Sequence, residues 1–312
     1  MKKEKTIRSA NPNIGNQRKA QRHIQKVLWA FYLALLKDIR EHTVKIPVLA
    51  EDQALSNPRT NDEYARDVKK VKKTILEIVK GLKKAERLAL AAHIDSNKDF
   101  LAHLIEPNMR SVASWYVKTI AFDITKAQRR ALIDAGFSPK LLRQKWTIPV
   151  GRQYIGSSAA AQFETMVGNT VSLIRNMTYR ELKFIQKAIQ KSTIETEGYR
   201  WLERELGQVK SLADDPKRVE TIVRDQTNKL TYQISSANMR DAGITEAIWI
   251  HVPGRFTSRE THMDFNGKRF EIGKGLFDTE VMGYVQPGEL INCRCTFRPI
   301  LTKFTDDEES KR

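Results

Sequence analysis

The chain has 312 residues, of which 40% are hydrophobic and 29% are charged, a composition typical of a folded soluble protein of two or three packed units. Lysine and arginine outnumber aspartate and glutamate by 54 to 37, which gives a net charge of +17. This excess favours a negatively charged partner: nucleic acid, an anionic membrane surface or an acidic protein.

A membrane-spanning segment is not expected. The best candidate, Val27–Leu36, is ten residues long, about half of the roughly 20 apolar residues that a spanning helix needs. The chain contains two cysteines and no recognisable export signal, which favours a reducing cytosol.

The first 20 residues are basic and polar, which predicts a flexible arm over residues 1–20. A helical N-terminal region follows over residues 21–150. Its first helix is predicted from apolar residues at helical spacing, namely Ile24, Val27, Leu28, Phe31 and Leu35.

The second helix is predicted to begin at a capping box formed by Thr60 and Glu63. Apolar residues then alternate steps of four and three, which predicts a heptad seam that pairs with another helix of this chain or of a partner. The seam consists of Tyr64, Val68, Val71, Ile75, Ile78 and Leu82.

Seven lysines decorate the rest of this helix and the residues after it, and two interpretations stay open. They could contact phosphates of nucleic acid, or they could form the solvated outer face of a coiled-coil hairpin. The candidate nucleic-acid-binding residues are Lys69, Lys70, Lys72, Lys73, Lys80, Lys83 and Lys84.

Further helices are expected between residues 97 and 240. Breaks are predicted at Pro107, Gly136–Pro139 and Pro149–Gly151 because proline and glycine interrupt helices. The small and polar stretch Gly156–Thr170 indicates a hinge or a tight helix contact.

A second helical region, residues 151–243, leads into the C-terminal part of the chain. A capping box is predicted at Thr178 and Glu181. The clearest helix begins at Asp215–Pro216, with Asp as N-cap and Pro at the first helical position, and ends before Gly243.

After Gly243 the pattern changes to strands and turns. Residues Ala247–Val252 predict a strand, and Asn266–Gly267 predicts a two-residue hairpin turn. We therefore expect a mainly α fold: a helical body followed by a compact α+β C-terminal module over residues 244–302, with a charged tail over residues 303–312.

Both cysteines lie in this module. Ile291, Cys293, Cys295 and Phe297 occupy alternate positions, which predicts one face of a strand with two buried thiols. A disulfide between them is not expected, because α-carbons two residues apart in a strand are about 6.5 Å apart, near the limit of disulfide geometry.

A zinc site is the alternative that the residues leave open, since two thiolates on one face can share a metal. The nearby histidines are His262 and His251, with Asp264 as a spare ligand. The candidate metal residues are His262, Cys293 and Cys295. His262 could equally be a structural residue that orients the module by hydrogen bonding.

Taken together, residues 219–301 resemble the phage Mu F-like family of minor head proteins, also called phage head morphogenesis proteins. The shared pattern is an Arg–Asp–Gln helix, an aromatic-ended strand, an Arg-x-x-His step, a glycine turn and a closing Pro–Gly…Cys-Arg-Cys segment. In this chain it falls on Arg224, Asp225, Gln226, Asn228, Trp249, Arg259, His262, Gly267, Phe270, Pro287, Gly288, Asn292, Cys293, Arg294 and Cys295. The family often has an acidic residue after the Trp strand, where this chain reads "HVPGR".

The resemblance implies a protein of the virion, located in the head interior and made in the host cytoplasm. Family members associate with the portal, enter the procapsid in few copies and assist head assembly, DNA packaging or DNA delivery. The implied partners are the portal protein, capsid or scaffolding proteins and packaged double-stranded DNA, with no membrane partner and no required cofactor.

Two other functions remain alternatives. The family's module has been grouped with ADP-ribosyltransferase-like folds and occurs beside toxin domains, so the resemblance leaves an ADP-ribosyltransferase-like or toxin-type enzyme as an alternative, with His262 as a nucleotide contact and Glu289 as a catalytic carboxylate. We expect no enzyme, since neither a Gly-rich phosphate cradle nor a carboxylate cluster is present in the sequence. A sequence-independent DNA-binding protein is the other alternative, and a strong salt dependence would distinguish it.

Overall fold

The computed structural model describes residues 6–43, 60–150, 153–193, 198–253 and 258–301. In these ranges the protein is mainly α, and short antiparallel strands follow the helices toward the C-terminus. The predicted fold class is therefore confirmed. The predicted charged tail, residues 303–312, lies outside the described ranges.

Helices form most of the described chain up to residue 241. They are α1 (Ile14–His42), α2 (Asn61–Lys80), α3 (Lys84–Ser96), α4 (Lys98–Asp134), α5 (Pro139–Lys145), α6 (Ser157–Lys191), α7 (Gly198–Glu203), α8 (Pro216–Asp241) and α9 (Glu260–Asp264). A π-helical turn, Arg204–Gln208, follows α7. None of the helices in the described ranges combines the length and apolarity needed to cross a membrane.

The strands pair only in antiparallel fashion. One hairpin, β1 with β2, stands between α5 and α6, and the others belong to the C-terminal module, where β4–β3–β7 form a sheet and β5–β6 a hairpin. Their bounds are β1 (Trp146–Val150), β2 (Gln153–Gly156), β3 (Glu246–Ile250), β4 (Arg269–Glu271), β5 (Leu276–Asp278), β6 (Gly283–Val285) and β7 (Thr296–Pro299).

The chain divides into two compact units that differ from the contiguous regions expected from the sequence. Unit 1 comprises residues 1–17, 114–167 and 221–312, and unit 2 comprises residues 18–113 and 168–220. Long helices contribute residues to both units, so composition along the chain could not reveal this division.

The apolar patterns of α1 and α2 build the core of unit 2. Every predicted apolar residue of α1 is buried, and so is every residue of the heptad seam. The seam is covered by this chain itself: the Trp29 ring of α1, for example, meets the Tyr64 ring edge-on, with 6.0 Å between centroids. The capping box is confirmed, since the Glu63 N–H donates to Thr60 Oγ1 over 3.2 Å and the Thr60 N–H donates to the Glu63 carboxylate over 2.9 Å.

The sequence predicts a break at Pro107, and this is wrong. Helix α4 continues through Pro107. Proline has no N–H to donate to the His103 carbonyl one turn earlier, but both residues lie on the exposed face of the helix. Water can therefore hydrate that carbonyl. Buried apolar residues on both sides of the proline, Ile105 and Met109 among them, keep the helix packed.

The capping box predicted at Thr178 and Glu181 is also wrong, because both residues lie inside α6 and are buried. The Thr178 hydroxyl donates to the Arg175 carbonyl one turn earlier. The Glu181 carboxylate accepts hydrogen bonds from the Tyr32 hydroxyl, over 2.5 Å, and the Leu212 N–H, over 2.7 Å. Neither side chain therefore caps a helix: Thr178 bonds within α6, and Glu181 makes tertiary hydrogen bonds.

Helix α8 has the predicted ends. The Asp215 carboxylate accepts from the Arg218 N–H at the first turn, and Gly243, with φ of 83°, follows the last turn. Near that end the Asp241 carboxylate accepts hydrogen bonds from Ser158 at the start of α6. A Cβ at Gly156 would collide with the Asp241 side chain, so this glycine, the first residue of the predicted stretch, makes a tight contact with the end of α8.

The sequence predicts a flexible arm over residues 1–20, and this is wrong for the part that the structure describes. Thr6 forms an isolated antiparallel bridge with Ile300, and Ile7 is only 5% exposed. Burial of Ile7 in the apolar core of unit 1 fixes this segment. Helix α1 then begins at Ile14, earlier than expected.

Candidate metal centre

The core of the C-terminal module surrounds Trp249, which is fully buried in the middle sheet strand β3. The rings of His262, Phe265 and Phe270 meet the Trp249 indole edge-on, with centroid distances of 5.3, 5.1 and 5.8 Å. Edge-to-face packing of this kind stabilises a small core beyond the area it buries. It also fixes the orientation of the His262 imidazole.

His262 reaches this core on α9, just before the turn at which the sequence predicts a two-residue hairpin. The predicted turn at Asn266–Gly267 exists, and Gly267 has φ of 82°, but it joins α9 to β4 and not one strand to another. The hairpin prediction is therefore wrong. The helical turn is favoured because it buries His262 and Phe265 against Trp249.

The cysteine segment departs from the predicted strand. Ile291 is 68% exposed, and Asn292 has φ of 62°, a left-handed conformation that interrupts an extended chain. Strand β7 begins only after Cys295. Cys293, Cys295 and Phe297 are nevertheless buried, as predicted, and both thiols are free.

Contacts from distant residues hold this segment in its bent form. The Asp225 carboxylate on α8 accepts the Asn292 N–H over 2.6 Å, and the Asn228 side-chain amide donates to the Cys293 carbonyl over 3.0 Å. The Arg259 guanidinium donates to the carbonyl of Ile291 over 3.2 Å. Without these partners the alternation of residues would favour a straight strand.

Three side chains converge at the bend. The Nδ1 atom of His262 lies 3.4 Å from Cys293 Sγ and 3.6 Å from Cys295 Sγ. These three atoms all lie within 4.8 Å of one another, and their residues are buried. His251, at the end of β3, brings its own Nδ1 atom to 3.5 Å from Cys295 Sγ.

A buried carboxylate stands behind His262. Asp278, at the end of β5, is fully buried, and its Oδ2 atom lies 3.4 Å from His262 Nε2. This pair is close enough for an electrostatic contact, but it is not aligned as a hydrogen bond. The Thr261 hydroxyl and the Glu280 N–H donate to the Asp278 carboxylate over 3.0 and 2.8 Å.

The two thiols lie close together and differ in acidity. The pKa of Cys295 falls to about 7, because the neighbouring Cys293 thiol, the Trp249 indole and the Val252 N–H favour the thiolate, against the effect of burial. The pKa of Cys293 is raised, first by its interaction with Cys295 and second because it is buried. The site therefore favours one thiolate, the form of cysteine that binds metals.

The remaining residues of the predicted pattern surround this centre or lie on α8. Gly288 has φ of 80°, packs against the Asn228 carbonyl and donates its N–H toward Cys293 Sγ over 3.3 Å. Pro287 is buried beside it, and Arg294 is half-buried. Arg224 and Gln226 are half-buried residues of α8. Among the spare candidates, Asp264 is exposed and lies outside the three-residue cluster.

The candidate nucleic-acid residues divide into two groups. Lys69, Lys70, Lys73, Lys83 and Lys84 are exposed, and Lys80 is half-buried beside Glu77 and Glu203. Lys72 is only 1% exposed, and its ammonium donates to the Asp214 carboxylate over 3.0 Å. The prediction that Lys72 contacts phosphate is therefore wrong, because the residue is part of the core of unit 2.

Glu289, the carboxylate of the enzyme alternative, is exposed in a tight turn. Its Oε2 atom accepts the N–H of Gln286 over 2.8 Å. This hydrogen bond closes the turn, so the Glu289 carboxylate has a local structural role.

Sequence reasoning missed Asp278. It lies 17 positions after Thr261, to which it is hydrogen-bonded, in a glycine-punctuated loop whose pattern indicates only turns. An acidic residue in such a loop is normally solvated, so nothing local could indicate that β5 carries it under His262.

Comparisons with known proteins give little functional information. No protein-family model and no solved structure matches the chain. An uncharacterized protein of Haemophilus influenzae is 28% identical to it over 138 residues, which are 44% of this chain and 29% of that protein. The chain thus spans less than a third of the length of this relative, whose name states no function.

Proposed function

We propose that this chain is a minor head protein of a tailed bacteriophage, located in the head interior at the portal. It assists head assembly and the packaging or delivery of DNA, and its role is structural and not enzymatic. The observation that carries the proposal is that the residues of the Mu F-like pattern contact one another across long stretches of chain.

The contacts join the two ends of the pattern. Asn228 and Cys293 are 65 positions apart, and Asp225 and Asn292 are 67 positions apart, yet each pair is hydrogen-bonded. Arg259 binds the same segment from a third place. Chance similarity would scatter such residues over the surface, whereas residues kept for a shared fold meet in one structural unit. This supports the resemblance as one of structure.

The charge of the molecule supports the proposed partners. A net charge of +17 and the exposed lysines of α2 and α3 suit packaged double-stranded DNA. The portal protein and the capsid or scaffolding proteins are the proposed protein partners. A membrane partner is not part of the proposal.

The test is quantitative mass spectrometry of purified heads from the phage or prophage that encodes the chain. Procapsids and mature virions are analysed separately, and the amount of this chain is divided by the amount of portal protein. We expect a few copies per portal ring in both particles. Heads from a mutant with an early stop codon in this gene are the background control.

A matched pair of variants links the particle result to the structure. Asn228→Ala removes the hydrogen bond to Cys293, and we expect it to lower incorporation into heads. Gln233→Ala changes an exposed residue on the same helix and should leave incorporation unchanged. Absence of the wild-type chain from both procapsids and virions would overturn the proposal.

A further inference from the structure

We propose that Cys293, Cys295, His262 and His251 bind one Zn²⁺ ion, which holds the C-terminal module of unit 1 in its folded form. This inference concerns the isolated chain and does not depend on the proposed role in phage heads. It assigns a specific ligand set, a coordination geometry and a structural purpose to the cluster.

The spacing of the donor atoms fits tetrahedral zinc. Zn–S bonds of about 2.3 Å and Zn–N bonds of about 2.0–2.1 Å at the tetrahedral angle place sulfur and nitrogen about 3.5–3.6 Å apart. The distances from His262 Nδ1 to Cys293 Sγ and Cys295 Sγ are 3.4 and 3.6 Å, and that from His251 Nδ1 to Cys295 Sγ is 3.5 Å. The two His262 distances agree with ligands that share one ion, whereas His251 contacts Cys295 but lies outside the group of donor atoms within 4.8 Å of one another.

The chemistry of the donors selects the metal. Two sulfurs and two imidazole nitrogens suit zinc, whereas magnesium and calcium require oxygen ligands. Two thiolates also balance the charge of Zn²⁺, so the bound ion adds no net charge to a buried site.

Asp278 lies on the side of the His262 ring that faces away from the thiols. Zinc-binding histidines usually direct their second ring nitrogen to a carboxylate, which fixes the ring and increases its basicity. His262 has this arrangement, with Nδ1 toward the thiols and Nε2 toward Asp278. The buried Nε2 atom lacks an aligned hydrogen-bond partner, and the Asp278 carboxylate, 3.4 Å away, is the group that the proposal assigns to it.

His251 is the ligand that must move most. It meets the cluster through Cys295, while its backbone N–H is held by the side chain of Asn266 over 2.9 Å. The backbone is thus held in place, so the proposal requires the half-buried side chain of His251 to rotate until Nδ1 reaches the fourth position. Four protein ligands leave no open position, which is typical of a structural and not a catalytic zinc site.

The position of the ligands explains what the ion would stabilise. They come from the end of β3, from α9 and from the bend before β7, and all of the strands that they connect are short. Such a module has a small core, and zinc bound only by the folded form adds its binding free energy to folding.

The first measurement is the metal content of the full chain, purified with a reducing agent and without chelator. We expect one zinc ion per chain by elemental mass spectrometry. The stripped chain is then titrated with Co²⁺, which should give the visible bands of a tetrahedral ion and the near-ultraviolet bands of thiolate coordination.

Variants assign the ligands. Cys293→Ser, Cys295→Ser and His262→Gln should each weaken Co²⁺ binding at least about tenfold, and Asp278→Asn, a change in a positioning residue, about 10- to 100-fold. His251→Gln should also weaken binding and change the visible spectrum as one nitrogen is replaced. His103→Gln, which changes a histidine on α4 with an 81% exposed side chain, is the control and should change nothing.

The wild-type result decides the proposal even if a ligand variant fails to fold. A folded wild-type chain that contains no zinc and gives no thiolate bands with Co²⁺ would show that the cluster is only a pair of buried thiols beside a histidine, and the proposal would be overturned. Full metal content in Cys293→Ser or Cys295→Ser would overturn it equally.

Discussion

The ammonium group of Lys72 is buried in unit 2, where it serves the core and not the surface. It donates to the Asp214 carboxylate and to the Val209 carbonyl, each over 3.0 Å, and lies 5.1 Å from the centroid of the Phe184 ring. A buried ion pair adds little net stability compared with apolar residues, but removal of one partner leaves the other charge buried and uncompensated.

We therefore predict that Lys72→Met lowers the free energy of unfolding by about 3 kcal/mol. Lys73→Met, one position further along the same helix and exposed, should change it by less than about 0.5 kcal/mol. Denaturant unfolding followed by circular dichroism measures both. Equal effects of the two substitutions would contradict the burial of Lys72.

This residue also illustrates what sequence can and cannot predict. The heptad seam of α2 was predictable because its spacing is local. The burial of Lys72, next to that seam, depends on Asp214, which is 142 positions away. The same limit applies to Asp278, which becomes relevant only when β5 brings it under His262.

At the level of elements, the β5–β6 hairpin positions Asp278, and Gly275 determines its geometry. Gly275 has φ of 85° just before β5, and a Cβ there would collide with the Val285 carbonyl of β6. Two features therefore require glycine at position 275: the positive φ, which L residues rarely adopt, and the lack of room for a Cβ atom.

We predict that Gly275→Ala destabilises the protein by about 2 kcal/mol. It should also weaken the Co²⁺ affinity, because β5 moves Asp278 away from His262. Gly168→Ala is the matched control: this exposed glycine lies inside α6 with open space around it, and alanine there should stabilise by about 0.5–1 kcal/mol. Thermal unfolding of both variants tests the contrast, and destabilisation by Gly168→Ala would contradict it.

The cysteine segment shows how element prediction failed. Alternation of residues correctly indicated that Cys293 and Cys295 share a buried side, but it also placed Ile291 there. The left-handed conformation of Asn292 turns the chain, and its N–H is held by Asp225 of α8. Period-two patterns contain no information about such distant partners. The helix ends at Thr60 and Asp215 were predicted correctly because caps are local.

At the scale of the whole molecule, the net charge of +17 favours binding to DNA but does not indicate which surface would contact it. With Lys72 excluded as a phosphate contact, the remaining candidates are the exposed lysines of α2 and α3 and Lys83, which lies between these helices. Each phosphate contact adds about 0.9 to the slope of log affinity against log salt.

We predict that changing Lys69, Lys73, Lys83 and Lys84 together to Gln lowers the salt slope of binding to double-stranded DNA by up to about 4. The control changes four exposed lysines of α4 and α6 to Gln, and so removes the same charge: Lys118, Lys126, Lys183 and Lys187. Fluorescence anisotropy at several salt concentrations measures the slopes. Equal slopes for the two variants would show that net charge alone, and not the α2–α3 surface, drives the binding.

The bridge between Thr6 and Ile300 has a consequence for biosynthesis. The ribosome makes β7 after nearly all the other described residues, so the backbone of Thr6 and Ile7 lacks its hydrogen-bond partners during most of translation. A chain whose synthesis stops before β7 exposes Ile7 and leaves the Trp249 core open, and such a chain is a substrate for proteases. Only molecules translated through β7 can form this bridge and complete the Trp249 core, which places a step of folding after the synthesis of β7.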